Sequence, residues 1–580
     1  MLHEEVRITV AIDRPKARQS QLVTTYGVGS LFPAADQSFM IAGIDEWAPD
    51  ERFDIEEPRL ARSLEVDVFR APPTGRRSGD VPVVRFPTYH YCPGCRRLDR
   101  FWNFDARAMQ CTACTADLTP SRFVACCESG HIEDFPYFQW LHRGPAGTGS
   151  AHTMSLNARG ASSSLADIVL SCSCGVADVD LDGSFSPGAL RDVKKCSGKR
   201  PWLLGTEDQP CEKPLRVLQR GSSNVWFAAV RSSISIPPWS SPNAKVVTKH
   251  WDVLKGASDA TLAEVLQSYA SSARLPGVTF EGMLAQVRLR RGFDAGHVPT
   301  DADLRAEEYL ALVDGNDGGA HDTFQCRSVE VATELHGVVA QVSSATRLRE
   351  VRALYGFARV TPMATDTVSP SLAPLSKSRL NWLPATEVLG EGVFVRVDEE
   401  MIDSWESSAV ANERCAVLAE SLRQRALEAD RPEPEPPSAR FVAMHSLAHA
   451  VLQELSLNAG YPVGSLRERV YAAPGQAGFL VYTASSDAAG SLGGLAALAE
   501  AGMFSRALTA ALSRAGWCSN DPVCGESGPS GADGLNLAAC HACLLLPETS
   551  CEHRNVLLDR VMLTGRPNAP EVGLLSRLIQ

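Results

Sequence analysis

The chain has 580 residues, of which 44% are hydrophobic, 21% charged and 7% aromatic, a balance that belongs to folded globular protein and excludes a disordered chain. At roughly 150 residues per domain, that length holds about three or four domains. A net charge of -12, from 56 basic against 68 acidic residues, excludes a coat of basic charge for indiscriminate nucleic-acid binding but permits a local basic groove.

The N-terminus, MLHEEVRITVAIDRPKAR, places two acids before a short apolar patch, unlike the basic-then-apolar order of a secretory leader. No run approaches the roughly 18 apolar residues of a membrane span, so the expectation is a cytoplasmic chain without a membrane partner. Seventeen cysteines in such a long chain, clustered at short spacings, point to metal ligation rather than to a disulfide scaffold.

In chain order, residues 1–90 read as an α+β segment and residues 91–240 as a zinc-ribbon-like module with two metal sites. In YHYCPGCRRLDRFWNFDARAMQCTACTADL, Cys92-x2-Cys95 precedes Cys111-x2-Cys114 by fifteen residues. Two such knuckles bring four thiolates to one tetrahedral point, which Zn²⁺ accepts with no open position, so the site is structural. A second four-thiolate site is expected from Cys172, Cys174, Cys196 and Cys211. Cys126, Cys127 and His131, in ACCESGHIEDFP, could substitute for one of those ligands, while His142 and His152 read as ordinary histidines.

Residues 241–430 read as a mainly helical middle domain. The segment SDATLAEVLQSYASSA starts at Ser258 or Asp259 as N-cap and puts Leu262, Val265 and Leu266 on one face; further helices are predicted at about 301–313, 327–345 and 407–429. The stretch TPMATDTVSPSLAPLSKSRLNWLP reads as a long loop, and DRPEPEPPSAR, around 430–440, as a domain boundary. Basic residues gather at Arg288, Arg290 and Arg291, at Arg347, Arg349 and Arg352, and at Lys377 and Arg379. They are candidates for lining a phosphate groove, although solvated faces paired with acids are the commoner arrangement.

Residues 438–580 form a predicted C-terminal α/β domain. Its first helix carries Met444, Leu447, Ala448, Val451, Leu452 and Leu455 as an apolar stripe and stops near Gly460. His445 and His449 lie at i and i+4 in MHSLAHA, but Ser446 stands where a metalloprotease helix has its general-base glutamate. They read as structural histidines beside a packed face. The segment GFLVYTASSDAAGSLGGLAALAEAGMF reads as strand, turn and helix, and Gly490, Ser491, Gly493 and Gly494 could hold a phosphate or merely permit the turn. Five cysteines follow: Cys540-x2-Cys543 is the knuckle, Cys524 and Cys551 complete four ligands, and Cys518 is the spare. No GxxxxGK[ST] occurs; Ser197-Gly198-Lys199-Arg200 lacks both the earlier glycine and the hydroxyl, so ATP hydrolysis is not expected of this chain.

Long motifs carry a resemblance. RQSQLVTTYGVGSLFPAADQSFMIAGIDEW, VVRFPTYHYCPGC, CESGHIEDFPYFQWLHRG, SLADIVLSCSCG, LQRGSSNVWF with SISIPPW, and NWLPATEVLGEGVFV resemble the DrmB family of bacterial DISARM anti-phage systems. HSLAHAVLQELS through AACHACLLLPETSCEHRNVLLDR is similar to the zinc-binding domain fused to helicases of the MrfA type. The resemblance implies a non-catalytic, zinc-stabilised subunit of an α+β multidomain kind. Its implied partners are a separate superfamily 2 helicase, DrmA, DNA that is single-stranded or carries an overhang, and a methyltransferase from the same locus. Spacing gives two to three structural Zn²⁺ sites, and the resemblance implies that the family's four C-terminal zinc cysteines fall at Cys524, Cys540, Cys543 and Cys551. The rival expectation is a metal-dependent nuclease or hydrolase using His445, His449 and Asp487.

Overall fold

The computed structural model describes residues 15–49, 54–75, 80–143, 152–160, 164–319, 321–361, 372–428, 432–483, 494–526, 528–531, 534–566 and 568–579. Contacts divide the chain into two compact units: Met1–Ile55, Leu64–Ser232 and Arg352–Thr386 form the first, and Glu56–Ser63, Ser233–Val351 and Glu387–Gln580 the second. The units are therefore not the four consecutive segments read from composition. The chain changes unit inside the strands Val339–Ala358 and Trp382–Val397, where no Pro- or Gly-rich linker advertises a boundary. Among the described residues, no helix is long and apolar enough to cross a membrane.

The first unit is built mostly from short antiparallel strands, with Trp382–Pro384 pairing parallel to Val68–Arg70. Its largest sheet runs Val179–Asp180, Ile168–Cys172, Met154–Ala158, Arg97–Arg100, Tyr89–Tyr91, Thr119–Pro120 in spatial order. A three-stranded sheet places Phe123–Cys126 between Ile132–Asp134 and Arg216–Gln219. On Phe123–Cys126 the side chains alternate, so Val124 and Cys126 join the core around Trp202 and Phe357, while Phe123 and Ala125 join the one around Phe135 and Trp140. Arg359 is 1% exposed in the first of these cores and donates to the carbonyls of Gly130 (2.8 Å), Gly29 (2.7 Å) and Val225. Its guanidinium also lies over the Phe357 ring at 4.8 Å. A buried cation is tolerated here because fixed carbonyl dipoles replace its water.

In the second unit, Gly478–Thr483 pairs antiparallel with Leu466–Tyr471 on one side and with Gly392–Arg396 on the other. Both faces of this sheet are buried. Leu466, Val470, Phe479, Val481, Val393 and Val395 pack with the helix Ala439–Ala459, whereas Tyr471, Leu480, Tyr482 and Phe394 pack with Tyr309 and Leu312 of the helix Asp301–Asp314. Period-two alternation therefore sends neighbouring residues of one strand into different cores.

Most predicted helices form: Asp259–Ser272, capped by the Ser258 hydroxyl, then Asp301–Asp314 and Ala409–Glu428. The helix predicted at 327–345 does not. Gln325–Val329 and Val339–Ala358 are antiparallel strands, joined through a 3-10 turn at Thr333–Leu335 and a left-handed Gly337. The stretch VAQV at 339–342 holds its branched residues in strand geometry, where two buried faces accept the apolar periodicity that also fits a helix. The long loop is irregular over 372–381, residues 362–371 lie outside the described residues, and Trp382 to Pro384 already belong to a strand. The Pro-acid segment before Ser438 lies within the second unit; Ser438 caps Ala439–Ala459, accepting from the Phe441 amide at 3.1 Å, and Gly460 ends that helix at φ 71°.

Candidate metal centres

Among the described residues, five groups of four side chains each bring their ligand atoms within 4.8 Å of one another. Four sulfurs around a zinc at about 2.3 Å would lie roughly 3.7 Å apart, and a disulfide would close them to about 2.05 Å. All seventeen cysteines are free, so the observed spacings can be compared directly with these values.

The first quartet is Cys92, Cys95, Cys111 and Cys114, as its spacing predicts; Cys92 and Cys114 are 3.3 Å apart and Cys95 and Cys111 3.5 Å. Each knuckle turns back through a left-handed residue directly after its second cysteine, Arg96 at φ 68° and Thr115 at φ 58°. Gly94 is required within the first knuckle because a Cβ there would stand 2.9 Å from the Cys114 sulfur. Burial raises the Cys92 thiol to about 12. Burial also acts to raise Cys111, but the Ala113 and Cys114 amides and neighbouring thiols overcome it and bring that thiol down to about 6. Four thiolates this close need a cation among them.

The second four-thiolate site expected from Cys172, Cys174, Cys196 and Cys211 is not present; its members divide between two mixed quartets. Cys196 and Cys211 join Cys127 and His131. Cys127 Sγ is 3.4 Å from His131 Nδ1, 3.7 Å from Cys196 and 3.9 Å from Cys211. Cys126 points into the opposite core, as alternation along its strand requires. Cys172 and Cys174 instead join His142 and His152, with Cys174 Sγ 3.4 Å from His142 Nε2 and Cys172 Sγ 3.4 Å from His152 Nδ1. The His142 Nδ1–H donates to the Phe138 carbonyl at 2.9 Å, which leaves Nε2 as a free lone pair, the tautomer a metal ligand needs. The hairpin of Ile168–Cys172 carries both Cys172 and Cys174 to His142 and His152, away from Cys196 and Cys211, so imidazoles complete each set.

The loops of Cys196 and Cys211 meet at Gly198, whose amide donates to Cys196 Sγ (3.4 Å) and whose carbonyl accepts from the Gln209 amide (3.2 Å). A Cβ on Gly198 would stand 1.6 Å from the Gln209 carbonyl oxygen, at a φ of +70°. Gly198→Ala is expected to push the loops apart at a cost of roughly 2–4 kcal/mol and to lose one equivalent of zinc. Zinc analysis checks this, and retention of full content in the purified variant would refute it.

In the C-terminal part the fourth quartet is Cys518, Cys524, Cys540 and Cys543, with Cys518 to Cys540 at 3.5 Å, Cys524 to Cys543 at 3.8 Å and Cys540 to Cys543 at 3.8 Å. Cys518 is therefore a member and not the spare, and Cys551 is elsewhere. The turn at Cys518–Asp521 positions the former: its amide donates to Asp521 Oδ2 at 2.7 Å, and Asp521 pairs with Arg560. Cys551 belongs with His445, His449 and Glu468 in the fifth quartet, in which every side chain is buried.

Residues 447–544 match the family described as the MrfA Zn-binding domain, and residues 18–227 match a domain of unknown function, DUF8724. The chain is 31% identical over 561 residues to the DISARM protein DrmB of Bacillus paralicheniformis, which covers 91% of this chain and 97% of that one. The chain belongs to the DISARM DrmB family. All four thiols of the C-terminal quartet fall within the segment matched to the MrfA Zn-binding domain, and Cys551 falls beyond it. This DrmB-family chain thus has a zinc-binding domain and several Cys and Cys/His clusters able to hold zinc, more than the two to three read from spacing.

The basic residues named as a phosphate groove are mostly engaged within the fold of this DrmB-family chain. Arg290 is buried over the Trp251 ring (4.7 Å), and Arg291 donates to the carbonyls of Leu254 and Ala257, both at 2.8 Å. Arg349 pairs with Glu387 at 2.8 Å and bonds Ser235 at 2.9 Å, and Arg347 donates to the Asp322 carbonyl at 3.1 Å. Arg352 is buried. On the surface, Lys377 pairs with Glu46 at 2.9 Å and Arg379 with Glu65 at 2.8 Å, while Arg288 is exposed. Guanidinium forks find nearby carbonyls and acids in an acidic protein, and sequence clustering does not reveal this. Gly490, Ser491, Gly493 and Asp487 lie outside the described residues.

Proposed function

We propose that this chain is the non-catalytic, zinc-stabilised subunit of a cytoplasmic DISARM complex. It associates with the superfamily 2 helicase DrmA and helps bind invading DNA that is single-stranded or carries an overhang. The observation that carries this reading is the likeness to DISARM protein DrmB, which spans nearly the whole of both chains. The lack of a phosphate-binding GxxxxGK[ST] supports assigning ATP hydrolysis to the partner. Burial of His445 and His449, both 0% exposed, supports a structural over a hydrolytic role, since a substrate needs an accessible metal position.

The first zinc ribbon offers a better DNA surface than the arginines on helices. Trp102 is 48% exposed, the Arg100 guanidinium lies over its ring at 5.2 Å, and Arg96 and Arg107 are exposed on the same ribbon. An aromatic face among cations binds unpaired bases and their phosphates together, with about 1–3 kcal/mol per stacked base.

Co-expression with DrmA, followed by overhang-DNA binding and DNA-stimulated ATPase assays, tests the reading. The expected result is a stable complex that binds DNA better than either part and loses ATPase only when the helicase is mutated. Trp102→Ala should weaken DNA binding about 5- to 100-fold while the complex stays assembled. Failure of the two chains to associate, with DNA cleavage by the isolated chain, would overturn the proposal.

A further inference from the structure

The fifth quartet stands apart from the four-thiol site of the zinc-binding domain in both composition and position. His445 and His449 project from one face of Ala439–Ala459, as i and i+4 residues do. They meet Glu468 from the adjacent strand Leu466–Tyr471 and Cys551 from the segment after the knuckle. Glu468 is there because alternation directs it toward this helix while Arg467 and Arg469 point away. His445 Nε2 lies 3.1 Å from Glu468 Oε1 and 3.2 Å from Cys551 Sγ, and His449 Nε2 lies 3.6 Å from the same carboxylate oxygen.

Protonation alone accounts poorly for this arrangement. His449 Nδ1 faces the Leu544 carbonyl at 2.9 Å. A carbonyl only accepts, so Nδ1 carries the proton and Nε2 presents a lone pair. That lone pair faces a carboxylate, and His449 Nε2 and both oxygens of Glu468 are buried without a hydrogen-bond partner. Unsatisfied buried polar atoms are rare singly, and this group holds four, His445 Nδ1 being the fourth. A divalent cation among the four ligand atoms resolves His449 Nε2 and one Glu468 oxygen at once. Donors at about 2.0–2.3 Å from a tetrahedral centre lie roughly 3.3–3.6 Å from one another; the 3.6 Å separation falls in that range, and those of 3.1 and 3.2 Å fall somewhat short of it. One carboxylate, one thiolate and two neutral imidazoles also bring a 2+ ion to zero net charge in a site that water does not reach.

We infer that His445, His449, Glu468 and Cys551 form a second, closed metal site of the C-terminal unit, taking Zn²⁺ as a structural ion. The Cys551 thiol gives up its proton to bulk solvent as the metal enters. The Leu544 carbonyl orients His449, as an outer-shell acceptor does for a metal-bound histidine. Gln453, one turn further along the same face, donates to the Cys543 carbonyl at 3.1 Å. The ligand helix thereby holds the knuckle of the neighbouring four-thiol site from behind, and two ions fix the chain between Cys518 and Cys551. Ser446, which stands where a hydrolase has its base, accepts from the buried Asp559 amide at 2.8 Å and takes no part in the site.

Zinc content of the full chain, measured by mass spectrometry on wild type, Glu468→Gln, Cys551→Ser and Ser446→Ala, tests the inference. Glu468→Gln and Cys551→Ser are each expected to lose one equivalent, and Ser446→Ala, equally buried but no ligand, to retain the full complement. Folded Glu468→Gln and Cys551→Ser proteins with wild-type zinc content would overturn the assignment. Should those variants not fold, zinc-edge anomalous diffraction from wild-type crystals decides the matter. A peak among the four ligand atoms supports the site, and peaks at the thiol quartets with none here refute it.

Discussion

Replacing Cys518 with serine is expected to release one equivalent of zinc and to unfold the segment around Cys518, Cys524, Cys540 and Cys543, although the spacing of the sequence makes Cys518 look dispensable. The reason is geometric: its sulfur is 3.5 Å from that of Cys540 and opposite the Cys524–Cys543 pair at 3.8 Å, so its loss opens the tetrahedron. Structural zinc supplies on the order of 10–16 kcal/mol of gross binding free energy to small zinc modules, and the observable cost is capped by the stability of the unit itself. A loss of about 5 kcal/mol or more is expected, visible as a separate low-temperature transition in a thermal melt and as zinc freed to a chelating dye. Cys543→Ser should behave in the same way. A Cys518→Ser protein with full zinc content and an unchanged melt would show that Cys551 is the fourth ligand after all.

Arg469→Ala is expected to be the most damaging substitution away from a metal site. Arg469 is 0% exposed, and its guanidinium holds Glu308, also 0% exposed, through Nε at 2.6 Å and Nη2 at 2.8 Å, with Glu552 at 3.2 Å from Nη1. Two nearby cations, Arg305 at 2.7 Å from Glu552 and Arg467 at 3.7 Å from Glu350, complete a network between the strand Leu466–Tyr471 and the helix Asp301–Asp314. Removing Arg469 alone strands the Glu308 carboxylate in the interior, which costs about 3–5 kcal/mol. The melting transition of the second unit should fall by on the order of 10 °C. Removing both partners with Arg469→Met and Glu308→Leu should recover part of that loss, because no unpaired charge is left between them. If the double variant is less stable than Arg469→Ala, the ion pair contributes more than the avoidance of a stranded charge, and this account fails.

The contrast between these two sites explains how much of the chain can be read without its fold. The first ribbon was legible because each pair of its ligands sits in one CxxC turn, and such a knuckle has nearly the same shape wherever it occurs. The helix Asp259–Ser272 was legible for a related reason: Ser258 announces it through a hydrogen bond that spans only three residues, and the structure shows Thr300 and Ser438 capping their helices in the same way. At 327–345 the same reasoning fails, since a short apolar run suits a helix or a strand buried on both sides, and only the neighbouring strands decide between them. The basic clusters fail similarly. Whether Arg291 meets a phosphate or the carbonyls of Leu254 and Ala257 depends on the packing of a helix against a loop 34 and 37 residues away.

By itself, the sequence determined the class of the protein, its family, its use of zinc, the first four-thiol ribbon and the most regular helices, because these depend on composition, on long motifs and on interactions between residues a few positions apart. Tertiary structure decided which ligands belong together. Cys127 meets Cys196 and Cys211 across 69 and 84 residues, and His445 meets Cys551 across 106. Separations of that size are closed by sheets and cores whose apolar burial brings the loops together, and spacing carries no record of which loops will meet. The same holds for Glu468, an unremarkable acid in LRERVY that strand alternation turns toward two histidines while its neighbours turn toward a different core.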